Sequence, residues 1–166
     1  VALSVEAFER SYRSLERALF NYLYRWVWDA QGAQDLIHDA FERLWRKRES
    51  LDPDGFEALV WTTVINLARN RWRRQRLLQW LPYDQAASEE PTPDRALAEL
   101  ERERMIRRAL GKLSRKHREV LLLALYSRLD REEQARALGI APGTLASRKH
   151  AATQRMHALL KETFDD

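Results

Sequence analysis

The stretch from Leu129 to Arg155 constrains this chain most, because its small residues fall at the offsets that a helix-turn-helix requires. Ala135 stands four residues before Gly139, and Leu145 follows that glycine by six. A small side chain at Ala135 lets two helices cross closely. Gly139 can adopt the left-handed backbone that ends the first of them at little cost. Ile140 and Leu145 then fill the angle, and Pro142 suits the first turn of a second helix. That second helix presents Thr144, Ser147, Arg148 and Lys149, donors matched to the acceptors of a major groove. An ordinary helical hairpin with a glycine stop is the alternative for the same spacing.

The rest of the chain reads as helix too. It has only five glycines and five prolines, and Leu, Ala, Arg and Glu are abundant, so the expected class is all-α. Phe8, Tyr12, Leu15, Leu19, Leu23 and Trp26 recur in steps of three and four, with Ser4 placed to cap the helix they mark. Gly32 is expected to break that helix. Ala33, Leu36, Ile37, Ala40, Phe41, Leu44 and Trp45 outline a second one, whose other face carries Asp35, Asp39, Glu42 and Arg46. This face is either simply solvated or an acidic docking strip for a basic partner.

After a turn at Ser50–Gly55, a third helix carries its core on Phe56, Leu59, Val60, Thr63, Val64 and Leu67. A neighbouring stripe holds Trp61, Ile65, Ala68 and Trp72, with Asn66 and Asn70 one turn apart. The helix ends in RNRWRRQR, where Arg69, Arg71, Arg73, Arg74 and Arg76 surround Trp72. Cations this close repel one another unless a polyanion neutralises them, and phosphates with counterion release are the natural use. The tryptophans are either core or platforms on which unpaired bases stack.

Residues 81–95 are acidic, proline-bearing and without helical period, so they read as a linker between a domain at 1–80 and another at 96–166. Asp84, Glu89, Glu90 and Asp94 either keep this linker off its own basic domains or let it imitate a nucleic-acid strand. In the second half Leu97, Leu100, the stem of Arg104, Ile106 and Leu110 outline one helix. A second, from Leu113 to Arg128, carries Val120, Leu121, Leu123, Ala124 and Leu125 and is expected to be the central core helix.

Charge and cysteine content narrow the function. Lys and Arg exceed Asp and Glu by 29 − 25 = 4, so the distribution of charge matters more than its sum. There is no cysteine, which excludes disulfides, thiolate metal sites and Cys nucleophiles and suits a reducing cytoplasm. No apolar run reaches the ~18–20 residues that span a bilayer. Asp35, His38, Asp39 and Glu42 could be drawn as metal ligands, but carboxylates beside one His on a surface helix arise by chance. No nucleophilic triad or phosphate-cradling glycine loop accompanies them. The expectation is a non-enzyme with no metal and no cofactor.

Two small helical domains, each with a basic helix, on either side of an acidic linker resemble an extracytoplasmic-function (ECF, group 4) sigma factor of the sigma-70 family. DLIHDAFERLW (Asp35–Trp45) is similar to the family's region 2.2. That likeness implies that Asp35, His38, Asp39 and Glu42 bind the β′ clamp helices of core RNA polymerase, His38 standing where Gln is usual. FEALVWTTVINLARNRWRRQR (Phe56–Arg76) resembles regions 2.3 and 2.4, which with the preceding loop, here Ser50–Asp54, melt the −10 element. The resemblance assigns −10 contacts to Trp61, Asn66, Arg69, Asn70, Arg73 and Arg74.

The stretch from Leu113 to Met156 is similar to region 4, which reads the −35 element in duplex form and docks on the β flap. It implies −35 contacts at Thr144, Ser147, Arg148 and Lys149. Ala146, Ala151 and Thr153 stand where the family often has Lys or Arg, implying weaker phosphate anchoring or an altered −35 preference. An anti-sigma factor is a further partner that the likeness suggests. The competing expectation is a helix-turn-helix regulator that binds duplex DNA through residues 129–155 and dimerises or senses through residues 1–80. Such a regulator has no need of the aromatic, arginine-rich helix.

Overall fold

Seven α-helices and one 3-10 turn build the ordered backbone among residues 1–78 and 96–165, which the computed structural model describes. α1 (Val5–Val27) starts where the Ser4 hydroxyl accepts from the Ala7 N–H. It ends at Trp28, whose backbone turns left-handed at φ 55°. Asp29 then caps α2 (Ala30–Arg46) by accepting the N–H groups of Gln31 and Gly32. The break expected at Gly32 thus lies earlier, at Trp28 and Asp29, and Gly32 belongs to the first turn of α2. A Cβ there would stand 2.7 Å from Asp29 Oδ2, so the glycine serves a close approach to the capping carboxylate.

The 3-10 turn Arg48–Ser50 leads to α3 (Phe56–Leu78). α1, α2 and α3 bury Leu19, Leu23, Ile37, Phe41, Val60 and Val64 among them. Trp61, Ile65 and Ala68 of the neighbouring stripe are buried as well, which widens the apolar arc of α3. The expected end of this helix at Trp80–Pro82, and the acidic stretch 81–95, lie outside the described residues.

α4 (Leu97–Lys112) is less embedded than its periodicity predicts. Only Ala109 and Leu110 are buried, while Leu97 and Ile106 face solvent. α5 (Arg115–Tyr126) is capped by Ser114 and α6 (Arg131–Leu138) by a reciprocal Asp130–Glu133 capping box. Gly139 ends α6 at φ 71°, and α7 (Pro142–Asp165) follows, with Ala135 and Leu145 buried at the crossing. This is the expected helix-turn-helix. Gln134, an awkward polar residue for that crossing, sends its side-chain amide to the Leu129 carbonyl at 2.8 Å.

α5 departs from its expected pattern in an instructive way. Leu125 is 70% exposed, whereas Arg118 and Glu119 are buried. The reason is tertiary: α1 packs on α5 and α3 packs on α6, so helices on either side of the linker share one continuous core. Among the described residues no helix is long and apolar enough to cross a membrane.

Candidate nucleic-acid interface

α7 offers the simplest recognition surface. Leu145, Ala152 and Leu159 anchor its inner side, while Thr144, Ser147 and Lys149 are exposed and Arg148 is half-buried. The Ser147 hydroxyl donates to the Thr144 carbonyl at 3.2 Å, and Arg131 reaches back from α6 to the Pro142 carbonyl at 3.2 Å, bracing the start of the helix. The four residues assigned to the −35 element therefore sit within two turns of one helix end.

α3 is more divided. Asn66, Asn70, Arg73 and Arg74 are exposed along it. Trp72 is half-buried beneath the Arg76 guanidinium, 4.8 Å from its ring centroid. Trp61 is completely buried, so in this conformation its ring is core and not a platform for a base. Its position explains this: residues 60, 61, 64, 65 and 68 all point into the bundle, so it falls inside the apolar arc.

Arg69 is the second departure. Its Nε donates to Glu119 Oε1 at 2.7 Å and its Nη2 to Glu119 Oε2 at 3.1 Å, while Nη2 also meets the Leu138 carbonyl at 3.1 Å. Arg115 binds the same carboxylate at 2.7 Å. The hydrogen bond to Glu119 holds the Arg69 guanidinium protonated more firmly than usual. Beside it, Arg118 lies over the Trp26 ring and donates to the Arg25 carbonyl. Burial lowers its pKa to about 10. Burial and the nearby Glu119 charge push the Tyr22 hydroxyl well above its ordinary value.

The sequence reading missed this buried polar cluster, although a signal was present. Arg118 and Glu119 stand one turn before Leu122 and Leu123, on the stripe of α5 that is otherwise apolar. Charged residues in that register call for a buried partner. Next to the cluster, a cleft of about 670 Å³ is walled by Trp72 and Arg76 of α3 and by Lys112, Arg115, Lys116 and Arg118.

The acidic residues of α2 form a separate surface. Asp35, His38 and Glu42 are exposed and Asp39 is partly so. Gln31 donates to Asp35 at 2.9 Å, Arg43 pairs with Asp39 at 2.8 Å, and Arg46 pairs with Glu42. Exposed i,i+4 pairs of this kind hold little energy and rearrange easily when a basic partner arrives. His38 stacks on Tyr12, with ring centroids 6.5 Å apart. Trp45 is 42% exposed at the end of the same helix, with Arg48 lying over its ring.

Comparison with known proteins matches both halves of the chain to one family. Residues 11–77 match Sigma-70 region 2, and residues 103–156 match Sigma-70 region 4. The ECF RNA polymerase sigma factor SigL of Mycobacterium tuberculosis is 31% identical over 150 residues, which cover 87% of this chain and 83% of SigL. The RNA polymerase sigma-E factor of Streptomyces coelicolor is 30% identical, over 90% of this chain and 83% of its own. Among solved structures, the sigma factor RpoE of Bartonella quintana, crystallised with the anti-sigma factor NepR, superposes with a TM-score of 0.74. That match is 25% identical and covers 95% of this chain and 98% of RpoE.

Proposed function

This chain belongs to the sigma-70 family as an ECF RNA polymerase sigma factor, and from that membership we propose how its surfaces divide the work of initiation. The chain binds core RNA polymerase, recognises the −35 and −10 elements of a promoter and opens the duplex, with no covalent step of its own. It acts in the cytoplasm, where the polymerase is. Residues 1–80 form the unit that binds polymerase and the −10 element, and residues 96–166 the unit that reads the −35 element, with 81–95 between them.

The observation that carries this reading is the separation of three chemically distinct exposed surfaces on three helices. α7 exposes hydroxyls and cations at Thr144, Ser147, Arg148 and Lys149, which suit base edges and phosphates of a duplex. α3 exposes Asn66, Asn70, Arg73 and Arg74, which suit the backbone and the unpaired edges of a melted strand. α2 exposes Asp35, His38, Asp39 and Glu42, which suit a basic protein surface. Trp61 supports this arrangement from beneath as packing. The whole-chain likeness to a sigma factor crystallised with an anti-sigma factor supports that class of protein as a further partner.

Run-off transcription with purified core enzyme tests the reading. The expected result is new start sites that appear only when both this chain and core polymerase are present. Binding to duplex DNA without polymerase, together with start sites that never change, would instead identify a plain helix-turn-helix regulator.

A further inference from the structure

Like charges gather where α3 meets the turn between α4 and α5. Trp72 and Arg76 of α3 share the wall of the cleft of about 670 Å³ with Lys112, Arg115, Lys116 and Arg118. That volume lies in the usual range for small-molecule sites, but this wall is cationic where such sites are mostly apolar. Two of the cations are already engaged. Arg115 binds Glu119 at 2.7 Å, and Arg118 donates through Nη2 to the Arg25 carbonyl. Arg76, Lys112 and Lys116 are exposed, and among the described residues none of them has a carboxylate partner.

α5 also begins on this wall. The Ser114 hydroxyl accepts from the His117 N–H at 3.3 Å, which leaves its own proton free to donate. The N–H groups of Arg115 and Lys116 stand in the first turn, where no helical carbonyl can receive them and the helix dipole is positive. Arg118, on the same wall, is only 8% exposed, and its Nε is buried with no hydrogen-bond partner. Among the described residues it too lacks a carboxylate partner. Burial, with Arg107 adding to it, lowers its pKa to about 10. A cation so placed gains from any anion that comes near it.

The cleft holds a stacking platform as well. The Arg76 guanidinium lies over the Trp72 ring, 4.8 Å from its centroid, and nucleobases stack on indoles and guanidinium planes alike. We propose that this cleft binds a nucleoside polyphosphate, with the base against Trp72 and Arg76 and the phosphate chain on Lys112, Lys116 and the first turn of α5. A single phosphate would leave most of these cations uncompensated, whereas a polyphosphate chain reaches several of them. In a nucleotide the negative charge is concentrated in one short chain, which matches cations gathered round one pocket. In a nucleic-acid strand it is spread along a backbone. The site goes beyond the division of promoter contacts proposed above and asks nothing of it.

Calorimetric titration of the full chain tests the site at about 0.15 M salt, where loose surface charge is screened. The probes are adenosine triphosphate, guanosine triphosphate and inorganic tripolyphosphate. The expected result is that both nucleotides bind roughly five- to tenfold more tightly than tripolyphosphate, the share of one stacked base. Trp72→Leu should erase that preference and keep the binding of tripolyphosphate. Lys112→Gln with Lys116→Gln should weaken all three probes at least about tenfold, because both charged donors to the phosphates are gone. Arg73→Gln with Arg74→Gln removes the same charge from exposed positions of α3 outside the cleft, and should leave all three within about twofold. Circular dichroism checks folding. Because Trp72 is half-buried, Arg76→Gln, on the exposed side of the stack, gives a second measure and should weaken the nucleotides more than tripolyphosphate.

No binding at millimolar nucleotide would overturn the site, and so would equal losses in the two double variants, since the anions would then answer to basic surface anywhere. Tripolyphosphate bound as tightly as the nucleotides by the wild type would overturn the place given to the base. A single-stranded oligonucleotide that loses more affinity than the nucleotides in the Lys112 and Lys116 double variant would overturn the proposal in favour of a nucleic-acid strand. The run-off transcription that tests the proposed function is read separately, so failure of one leaves the other standing.

Discussion

The indole of Trp61 meets the ring of Tyr22 edge to face, with centroids 5.6 Å apart and planes at 85°, and neither ring is exposed to solvent. This contact joins α1 to α3 at the centre of the bundle. It lies beneath the polar cluster of Arg69, Arg118 and Glu119, whose charges act on the Tyr22 hydroxyl from above. One aromatic pair thus underlies both the packing of the N-terminal helices and the seam with the C-terminal ones.

Trp61→Ala is expected to destabilise the protein by about 3–5 kcal/mol, the usual cost of emptying a large buried aromatic site. For a chain of this size that corresponds to a fall in Tm on the order of 10 °C, read by calorimetry. Trp61→Phe keeps most of the packing and removes the indole N–H, which has no hydrogen-bond partner. It should leave capture of a −10 oligonucleotide unchanged. A large loss of capture in a well-folded Trp61→Phe protein would return that residue to the DNA-contacting set.

Tyr22→Phe is expected to flatten the alkaline side of the stability profile. The folded protein holds the Tyr22 proton above its ordinary pKa of 10.0, so near and above pH 10 the unfolded chain releases that proton while the folded one keeps it. Stability from this group is present below pH 10 and is lost as pH rises beyond it. Arg118 works in the opposite direction, since its pKa falls to about 10 on folding and the unfolded chain binds the extra proton from there up to the ordinary arginine range. The two groups are coupled: Tyr22 raises the Arg118 pKa, so the variant lowers it further, which adds to the gain of the variant over the wild type as pH rises. Urea midpoints from pH 8 to 11 should show the wild type losing stability relative to Tyr22→Phe above pH 10. At neutral pH the variant should stay within about 1 kcal/mol of the wild type, because the hydroxyl has at most one weak partner, the Trp26 indole, to lose.

Asp35→Lys with Asp39→Lys should weaken co-purification with core polymerase at least tenfold and leave the fold intact. The Asp39 side chain is 42% exposed, and exposed i,i+4 pairs contribute only about 0.3–0.5 kcal/mol, so the expected change in unfolding free energy stays below about 1 kcal/mol. Undiminished capture by core enzyme would remove this strip from the polymerase-binding surface.

Arg148→Ala should weaken binding to a −35 duplex by about 1–3 kcal/mol if the guanidinium meets a base edge. If it meets phosphate alone, the loss should be smaller, uniform across sequences, and accompanied by a drop of about 1 in the salt slope. A shift assay at several salt concentrations separates the two outcomes.

Most of the local structure was legible from residue order. Helix period, the Ser4 cap, the glycine at position 139 and the small residue at 135 act within a turn or two of backbone, and each does in the structure what its chemistry requires. The exposed residues of α7 were legible for the same reason, since a helix anchored by Leu145 must turn Thr144 and Ser147 outward. Gly32 shows the margin of such reasoning: its use depends on Asp29 reaching forward over the first turn, a contact that a glycine alone does not announce.

What tertiary structure alone decided was the fate of charges and rings that two faces could claim. Trp61 is core because the apolar arc of α3 is wider than its main stripe, and arc width is set by how many neighbours pack on a helix. Arg69 is bound to Glu119 across fifty residues of sequence because α5 and α6 come to rest on α3 and α1. Periodicity reports which side of a helix is buried by something. It carries no information on which distant helix does the burying, and for a buried ion pair that identity is the whole interaction.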